Sequence, residues 1–301
     1  MIAAAIVGLG RWGTSLSAAV AKSRRIVFAR SVDDAAGFAE VLKDAAIQAV
    51  VLATPHSLHR EQVIAAAAAG KHVFCEKPLA LTLADARAMI EACSKARVKL
   101  AVGHNRRFWP AMRRLREIVD DGQLGRVLHI EGHNSNENSN RVAGGWRTLE
   151  SESPGGGFTG AGLHALDAMV SLCGPVRSVR AQLLRQRAAI PPGIPPLDTL
   201  SALYEFESGA SGVLATVRAT PFYWRVHAFG TEGSAESLGE TELVLRLSGR
   251  PAQSVKLEPA DSLLAELEAF ADAIDGRAPY PISEPQILAT MAAFEATLRA
   301  L

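Results

Sequence analysis

The chain opens with an apolar run that ends in three closely spaced glycines. Residues 2–7 are apolar and partly β-branched, which is typical of a buried parallel strand. Gly8, Gly10 and Gly13 follow with the spacing G-x-G-x-x-G, and the alanine-rich residues 14–23 predict a helix. The first glycine permits a tight turn, the second lets the backbone approach a pyrophosphate, and the third lets the helix pack on the strand. We expect a dinucleotide with its phosphates at the helix N-terminus; the alternative is a structural turn in another kind of α/β protein.

The composition excludes several classes of function. A chain of 301 residues exceeds what one core usually serves, and 48% apolar residues can fill two cores. The formal net charge of +1 provides no field for nucleic acid or an anionic membrane. The three cysteines lack metal or redox spacing, and no apolar stretch approaches the roughly 18 residues that span a bilayer. We expect a cytoplasmic protein of two domains that binds neither nucleic acid nor membrane.

Short apolar runs alternate with helical patterns from residue 26 to residue 102. This alternation is typical of βαβ units, which build a parallel sheet. The predicted strands are residues 26–29, 49–53, 72–74 and 99–102, and the predicted helices are residues 33–42, 58–69 and 83–96. Thr82 is predicted to cap the last of these helices, and Gly70 to end the one before it.

The end of the second predicted strand bears on which dinucleotide is bound. NAD-binding folds place an acidic residue about 20 positions after the first glycine, where it accepts from the ribose 2′-OH. Here Ala29 stands 21 positions after that glycine and is followed by Arg30 and Ser31. Arginine can bind a 2′-phosphate through two parallel hydrogen bonds. We expect NADP(H) in preference to NAD(H); the alternative is a solvated Arg30–Ser31 pair with Asp33 or Asp34 on the ribose.

Polar residues follow two more strands at the sheet edge where open α/β sheets bind ligands. Thr54, with His56 after it, follows the third strand, and Thr54 either contacts the cofactor or caps the next helix. Glu76 and Lys77 follow the fourth strand and precede Pro78. A Glu-Lys pair at this edge would direct an ammonium group into the cleft; the alternative is a surface salt bridge before a turn.

Motifs along the whole chain resemble the Gfo/Idh/MocA family of oxidoreductases. In the first part they are G-L-G-R-W-G at 8–13, A-T-P at 53–55, E-K-P at 76–78 and G-H-N-R-R-F at 103–108. In the second part they are the glycines of 122–125, W-R at 146–147, G-G-G at 155–157, G-L-H-x-x-D at 162–167 and the hairpin 230–234. E-K-P and G-L-H-x-x-D are far more specific than the glycine motif alone.

The resemblance implies a fold and an activity. The implied α/β fold has a Rossmann domain with a doubly wound parallel sheet over residues 1–120. A substrate-binding and oligomerisation domain with an open, mostly antiparallel sheet follows over residues 121–301. This second sheet often forms the oligomer interface, so a homodimer or homotetramer is expected. The usual chemistry is reversible hydride transfer between nicotinamide and a hydroxyl or carbonyl of a sugar, polyol or related small molecule.

The resemblance also assigns roles to residues. Lys77 corresponds to the family's catalytic lysine and His164 to its catalytic histidine. The residues expected to contact the cofactor are Gly8, Gly10, Arg11, Trp12, Gly13, Arg30, Ser31, Thr54, Pro55, His56, His59, Glu76, Lys77 and Asn105. The residues expected to contact the substrate are Lys77, Arg106, Trp146, Arg147, His164 and Asp167.

One position departs from the family pattern. The family commonly has Asp four residues before the histidine, and this chain has Gly160 there. A partner that would bind a substrate hydroxyl and set the charge of His164 is thereby lost. Asp167, three residues after His164 on a predicted helix, can contact the histidine but does not automatically replace that carboxylate. The alternatives to an alcohol dehydrogenase are a catalytically impaired, cofactor-binding regulator and a reductase of an imine or unsaturated ring.

Three other stretches invite functional hypotheses. His129, Glu131 and His133 alternate on a predicted strand, 127–133, and such spacing can hold a metal. No further ligand is identifiable and pairing on a wet sheet face explains the pattern as well, so no metal is expected. The polar loop 134–153, which includes Arg141, predicts a lid or binding loop in which Trp146-Arg147 either contacts substrate or braces the loop. Residues 191–196 predict a rigid proline-rich loop.

Overall fold

The computed structural model describes residues 1–136, 145–186, 197–218 and 220–301. These residues form two compact units. The N-terminal unit comprises Met1–Asn105 and Asp261–Met291, and the C-terminal unit comprises Arg106–Ala260 and Ala292–Leu301. Arg141 of the predicted binding loop and the predicted proline-rich loop 191–196 lie outside the described residues.

The helices and strands of the described ranges follow in chain order. The α-helices are α1 (Arg11–Val20), α2 (Ala35–Lys43), α3 (His59–Ala68), α4 (Leu83–Ala96), α5 (Pro110–Asp120), α6 (Leu163–Cys173), α7 (Ser262–Ile274) and α8 (Glu284–Arg299). The strands are β1 (Ile2–Val7), β2 (Ile26–Val32), β3 (Ala49–Leu52), β4 (His72–Glu76), β5 (Leu100–Gly103), β6 (Val127–Asn136), β7 (Val176–Gln186), β8 (Leu197–Phe206), β9 (Ser211–Arg218), β10 (Tyr223–Gly230), β11 (Gly233–Leu238), β12 (Glu242–Leu247) and β13 (Gln253–Lys256). No helix within these ranges has the length and apolar character needed to cross a membrane.

The N-terminal unit is built on a five-stranded sheet with the order β2-β1-β3-β4-β5. Every pair of neighbouring strands in it is parallel. Strand order reverses between β1 and β3, and such a switch point opens a crevice at the carboxyl ends of the strands. The predicted doubly wound parallel sheet is confirmed. The predicted cap is also present, because the Thr82 hydroxyl accepts from the Asp85 N–H at 3.1 Å.

Helix α7 explains why the N-terminal unit includes a late segment of the chain. Its residues Leu267, Phe270 and Ala271 are buried in the core of the unit. The ring of Phe270 lies edge-to-face with that of Phe74, with centroids 5.8 Å apart. Burying a side chain of this size contributes about 2–3 kcal/mol. The structure therefore differs from the single predicted boundary after residue 120, because the apolar face of α7 covers the first sheet.

The C-terminal unit is built on an eight-stranded open sheet with the order β13-β12-β11-β10-β6-β9-β8-β7. Its pairs are antiparallel except for the parallel pair of β6 with β9, so the predicted mostly antiparallel sheet is confirmed. Helix α6 lies on this sheet. A Cβ on Gly132 of β6 would come within 2.6 Å of Met169 Sδ on α6, so the close approach requires glycine at residue 132.

Candidate functional site

The glycine loop between β1 and α1 has the geometry that its spacing predicts. Gly8 has φ +94°, and a Cβ there would lie 2.7 Å from the carbonyl carbon of Ala53. A Cβ on Gly13 would lie 1.9 Å from the Gly8 carbonyl oxygen. Only glycine fits either position. Gly10 is different, because no atom lies within 4 Å of a Cβ built there, which leaves open space beside the loop.

Helix α1 begins at this loop without a side-chain cap on its N-cap residue, Gly10. The N–H groups of its first turn therefore remain suited to an anion, and the helix dipole favours negative charge there. Arg11 is exposed at this point, whereas Trp12 packs partly buried against the core of the unit. The Leu9 N–H donates to Asp33 Oδ1 at 2.7 Å and so ties the loop to the end of β2. These residues fit a dinucleotide pyrophosphate.

Strand β2 continues three residues beyond its predicted end. Arg30 and Ser31 are exposed residues of this strand, and Arg30 Nε lies 3.4 Å from Asp44 Oδ2. An exposed ion pair of this kind contributes only about 0–1 kcal/mol, so a ligand phosphate can displace it. Asp34 caps α2 through its side chain, and Asp33 holds the glycine loop. Both alternative ribose ligands therefore already accept backbone N–H groups.

The segment after β3 is held by side-chain hydrogen bonds. The Thr54 hydroxyl donates to Gln62 Oε1 at 2.6 Å and does not cap the following helix. His59 is fully buried, with Nδ1 3.0 Å from the Pro78 carbonyl oxygen and Nε2 3.2 Å from that of Thr54. The buried ring of His56 lies edge-to-face with His59. His59 thus joins the ends of β3 and β4.

Glu76 and Lys77 lie at the end of β4, and the peptide bond between Lys77 and Pro78 is cis. Glu76 is only 6% exposed, so the alternative of a surface salt bridge is wrong for this carboxyl group. A Cβ on Gly103 of β5 would lie 2.7 Å from Glu76 Oε1. The Lys77 N–H donates to Glu76 Oε2 at 3.2 Å, and the Lys77 side chain is half-buried.

Two residues of α7 interact with Asn105 and Glu76, and sequence reasoning missed both of them. Ser262 Oγ accepts from the Asn105 amide nitrogen at 3.1 Å. Glu266 is fully buried, and its pKa is raised well above the usual range by burial and by the charge of Glu76. An acidic residue between the apolar Leu263 and Phe270 of an amphipathic helix was the available signal, because a buried charge needs a reason.

In the C-terminal unit, a network around Asp198 fixes the segment that leads to His164. Both carboxylate oxygens of Asp198 lie 3.1 Å from the Gly157 nitrogen, and Arg218 Nη1 donates to Oδ2 at 3.1 Å. A Cβ on Gly156 would lie 2.3 Å from Asp198 Oδ2. Burial raises the pKa of Asp198, opposed by Arg218 and the Gly157 N–H. Sequence reasoning identified the glycines but missed this anchoring carboxylate.

His164 is the second residue of α6 and is 6% exposed. A π-helical turn, Phe158–Gly162, precedes it and contains Gly160. Gly160 is exposed, and no atom lies within 4 Å of a Cβ built there. Asp167 is 1% exposed and accepts from Arg107 Nη1 at 3.3 Å. Asp167 is therefore engaged in a buried ion pair, and its predicted contact with substrate stays a prediction.

The remaining predicted substrate residues contact aromatic rings. The guanidinium carbon of Arg147 lies 4.0 Å from the centroid of the Trp146 ring, so these two half-buried residues stack on each other. Arg106 lies against three aromatic rings, Trp109, Phe222 and Trp224. Their contacts with substrate stay predictions.

The histidines of β6 pair with neighbours on the sheet face. His129 Nδ1 lies 2.7 Å from Ser211 Oγ, and Glu131 forms an ion pair with Arg225. His133 Nε2 lies 2.5 Å from Ser135 Oγ. Within the described part of the chain, no three His, Cys, Asp or Glu side chains are grouped so as to hold a metal ion.

Comparison with known proteins identifies both units. A family model described as "Oxidoreductase family, NAD-binding Rossmann fold" matches residues 2–104, and "GFO/IDH/MocA C-terminal domain" matches residues 112–236. Myo-inositol 2-dehydrogenase of Thermotoga maritima is 33% identical over 261 residues, which cover 81% of this chain and 74% of that protein. The 2,7-anhydro-N-acetylneuraminate hydratase of Escherichia coli is 31% identical over 209 residues, 68% of this chain and 55% of that protein.

A solved structure, aldose-aldose oxidoreductase of Caulobacter crescentus complexed with glycerol, superposes with a TM-score of 0.86 at 25% identity. The superposition covers 99% of this chain and 97% of that one. The chain spans about half the length of several curated relatives, the hydratase among them. With both units matched in sequence and in fold, the chain belongs to the GFO/IDH/MocA oxidoreductase family.

Proposed function

We propose that the protein transfers hydride between NADP(H) and a hydroxyl or carbonyl group of a sugar, polyol or related small molecule. The observation that carries this proposal is the shared sheet edge in the N-terminal unit. Gly8, Thr54 and Lys77 follow β1, β3 and β4, which are adjacent parallel strands. A pyrophosphate-binding loop and a lysine ammonium therefore lie at the carboxyl ends of neighbouring strands. The names of the dehydrogenase and of the aldose-aldose oxidoreductase support a polyol or sugar as substrate.

The proposed division of labour follows the family resemblance. The N-terminal unit binds the cofactor, which supplies the hydride chemistry when bound. Lys77 donates a hydrogen bond to the reacting oxygen and favours movement of its proton, and His164 donates or accepts a proton. The C-terminal unit binds substrate and assembles the protein into a homodimer or homotetramer through its sheet.

Activity is tested by following reduction of NADP+ with myo-inositol and with aldoses as substrates. Turnover that depends on both Lys77 and His164 supports the proposal. Light scattering of the purified protein tests the assembly. Monomers at assay concentration would contradict the proposed role of the C-terminal sheet.

The preference for NADP(H) is proposed from Arg30 and Ser31. Titration with NADPH and NADH, followed by nicotinamide fluorescence, should give tighter binding of NADPH by about tenfold, or about 1.4 kcal/mol. Arg30→Ala should remove most of that preference. Arg24→Ala is the matched control, because Arg24 is an exposed arginine before the amino end of β2. Tighter binding of NADH by the unmodified protein would instead assign the ribose to Asp33 or Asp34.

A second candidate is a cofactor-binding regulator that has lost catalysis. Gly160 favours it, because this exposed position of the π-helical turn carries no carboxylate. The two candidates differ in one measurable property. A regulator binds the dinucleotide but turns over no sugar, polyol, imine or unsaturated ring.

A further inference from the structure

Arg106 of the C-terminal unit is a cation held by aromatic rings. Its guanidinium carbon lies 4.7 Å from the ring centroid of Trp224, 5.0 Å from Trp109 and 5.6 Å from Phe222. We call these three rings the aromatic cage. The rings of Trp109 and Trp224 themselves meet edge-to-face, with centroids 5.2 Å apart. Ring faces stabilise a guanidinium and fix its plane, but they leave its N–H groups without acceptors.

No carboxylate of the described residues accompanies this cation. Among the residues that the structure describes, none forms an ion pair with Arg106, and its buried Nη1 has no hydrogen-bond acceptor. Two arginines whose side chains are about 10% exposed differ from Arg106 in this respect: Arg107 pairs with Asp167, and Arg218 pairs with Asp198. Burial lowers the pKa of Arg106 to about 9, so the side chain is still cationic at neutral pH. A cation enclosed in this way lacks the anion that usually accompanies it.

A row of unsatisfied polar atoms lies beside the aromatic cage. Thr216, Asn134 and Trp224 are direct neighbours across β9, β6 and β10. Thr216 Oγ1, Asn134 Oδ1 and Trp224 Nε1 are all buried and have no hydrogen-bond partner within the described ranges. The Asn134 amide nitrogen donates to the carbonyl oxygen of Ala161, three residues before His164. The row therefore lies against the segment that carries the proposed catalytic histidine.

Three such atoms in one register row are unusual, because buried polar groups in proteins are nearly always paired. Their chemistry is mixed. Trp224 offers a donor, Asn134 an acceptor, and Thr216 both. Sugar hydroxyl groups, which donate and accept, satisfy such a set, whereas a purely apolar ligand would leave it unsatisfied.

We infer that Arg106 binds the carboxylate of a sugar-acid substrate, whose hydroxyl groups satisfy Asn134, Thr216 and Trp224. The inference rests on the proposed function and specifies its substrate class as carbohydrates that carry a carboxylate. A guanidinium held flat by rings binds a carboxylate through two parallel hydrogen bonds with little further loss of side-chain freedom.

The test compares sugar acids with the matching neutral sugars. D-Glucuronate against D-glucose, and D-galacturonate against D-galactose, are titrated calorimetrically into the protein with NADP+ present, and turnover is assayed in parallel. The unmodified protein should bind each acid at least about tenfold more tightly than its neutral partner. Arg106→Met should abolish this preference.

Two further variants separate the anion site from general charge. Arg113→Met is the matched control, because Arg113 is exposed on α5 with its guanidinium 5.3 Å from the Phe108 ring, and it should keep the preference. Arg106→Lys retains the charge but not the planar fork, so it should reduce the preference. If Arg106→Met does not fold, Arg106→Lys still tests whether Arg106 binds the carboxylate. Thr216→Val should weaken acids and neutral sugars alike.

The outcomes distinguish this inference from the proposed function. Equal affinity for acids and neutral sugars, or an acid preference that survives Arg106→Met, overturns the inference even if the protein oxidises polyols. Binding of acids that depends on Arg106, without turnover of any substrate, supports the inference and counts against the proposed function.

Discussion

The carboxyl group of Glu266 is fully buried in the N-terminal unit, close enough to Glu76 for the charge of Glu76 to raise its pKa. Neither oxygen of Glu266 has a hydrogen-bond partner among the described residues. Two buried carboxyl groups this close do not both ionise, since like charges disfavour each other. Burial and the charge of Glu76 therefore both favour the neutral form of Glu266.

Glu266→Gln should weaken the dependence of stability on pH. An unfolded glutamate titrates near pH 4.3, whereas the folded carboxyl of Glu266 stays protonated above that pH. The folded state then binds more protons, so the free energy of unfolding falls as pH rises from about 4.3 to the raised pKa. Because glutamine cannot ionise, Glu266→Gln removes this fall in the free energy of unfolding.

Urea unfolding at about pH 5 and about pH 8 measures the effect. Between the two conditions, the free energy of unfolding should fall by less in the variant than in the unmodified protein. Glu258→Gln is the control, because Glu258 is exposed and its substitution should leave the slope unchanged. Identical slopes for Glu266→Gln and the unmodified protein would show that Glu266 ionises normally.

Lys77→Met is expected to lower kcat by at least about 100-fold, the usual loss when a positioned proton-transfer group is removed. The affinity for NADPH should stay within a few-fold, because the glycine loop and α1 are unaltered. Lys43→Met is the matched control, since Lys43 is exposed on α2 and pairs with Glu40 at the surface. Steady-state kinetics and fluorescence titration separate the two effects, and retained turnover would remove Lys77 from the mechanism.

Asp198→Asn should destabilise the protein by about 3–5 kcal/mol, because Arg218 would be left buried without its anion. The substitution also weakens the bonds from the Gly157 N–H that hold the segment before His164. The exposed pair of Arg116 with Asp120 provides the control, and Asp120→Asn should cost at most about 1 kcal/mol. Urea unfolding compares the two, and equal losses would contradict a structural role for Asp198.

Local pattern was sufficient to predict the first sheet. Hydrophobic periodicity located β1 and α4 at their observed bounds, and the glycine spacing predicted the tight turn in which Gly8 has a positive φ. Helix α1 begins three residues earlier than predicted, because Arg11 and Trp12 were assigned to the loop. Helix caps and turns depend on residues that are neighbours in sequence, so the local sequence is sufficient to predict them.

Long-range pairing was not accessible in the same way. The bonds of Asn105 to Ser262 and of Gly157 to Asp198 join residues that are distant in sequence. Strands β7 and β13 have a mixed residue pattern, and their formation depends on pairing partners that are not visible in the sequence. The site residues were placed by motif, but which of them are held by other side chains became clear only from the fold.

Gly160→Asp tests whether polyol oxidation needs the carboxylate that this chain lacks. The structure gives the substitution room, because Gly160 is exposed, has no positive φ and has no atom within 4 Å of a Cβ. We expect the change in stability to stay within about 0.5 kcal/mol, as for most surface substitutions. The Asp side chain should increase kcat/KM for myo-inositol, because a carboxylate four residues before His164 can hold a substrate hydroxyl and favour the charged imidazole. Gly160→Asn is the control, since it has the same shape without the charge. If both variants oxidise polyols no faster than the unmodified protein, the pocket itself has changed and the substrate is not a simple polyol.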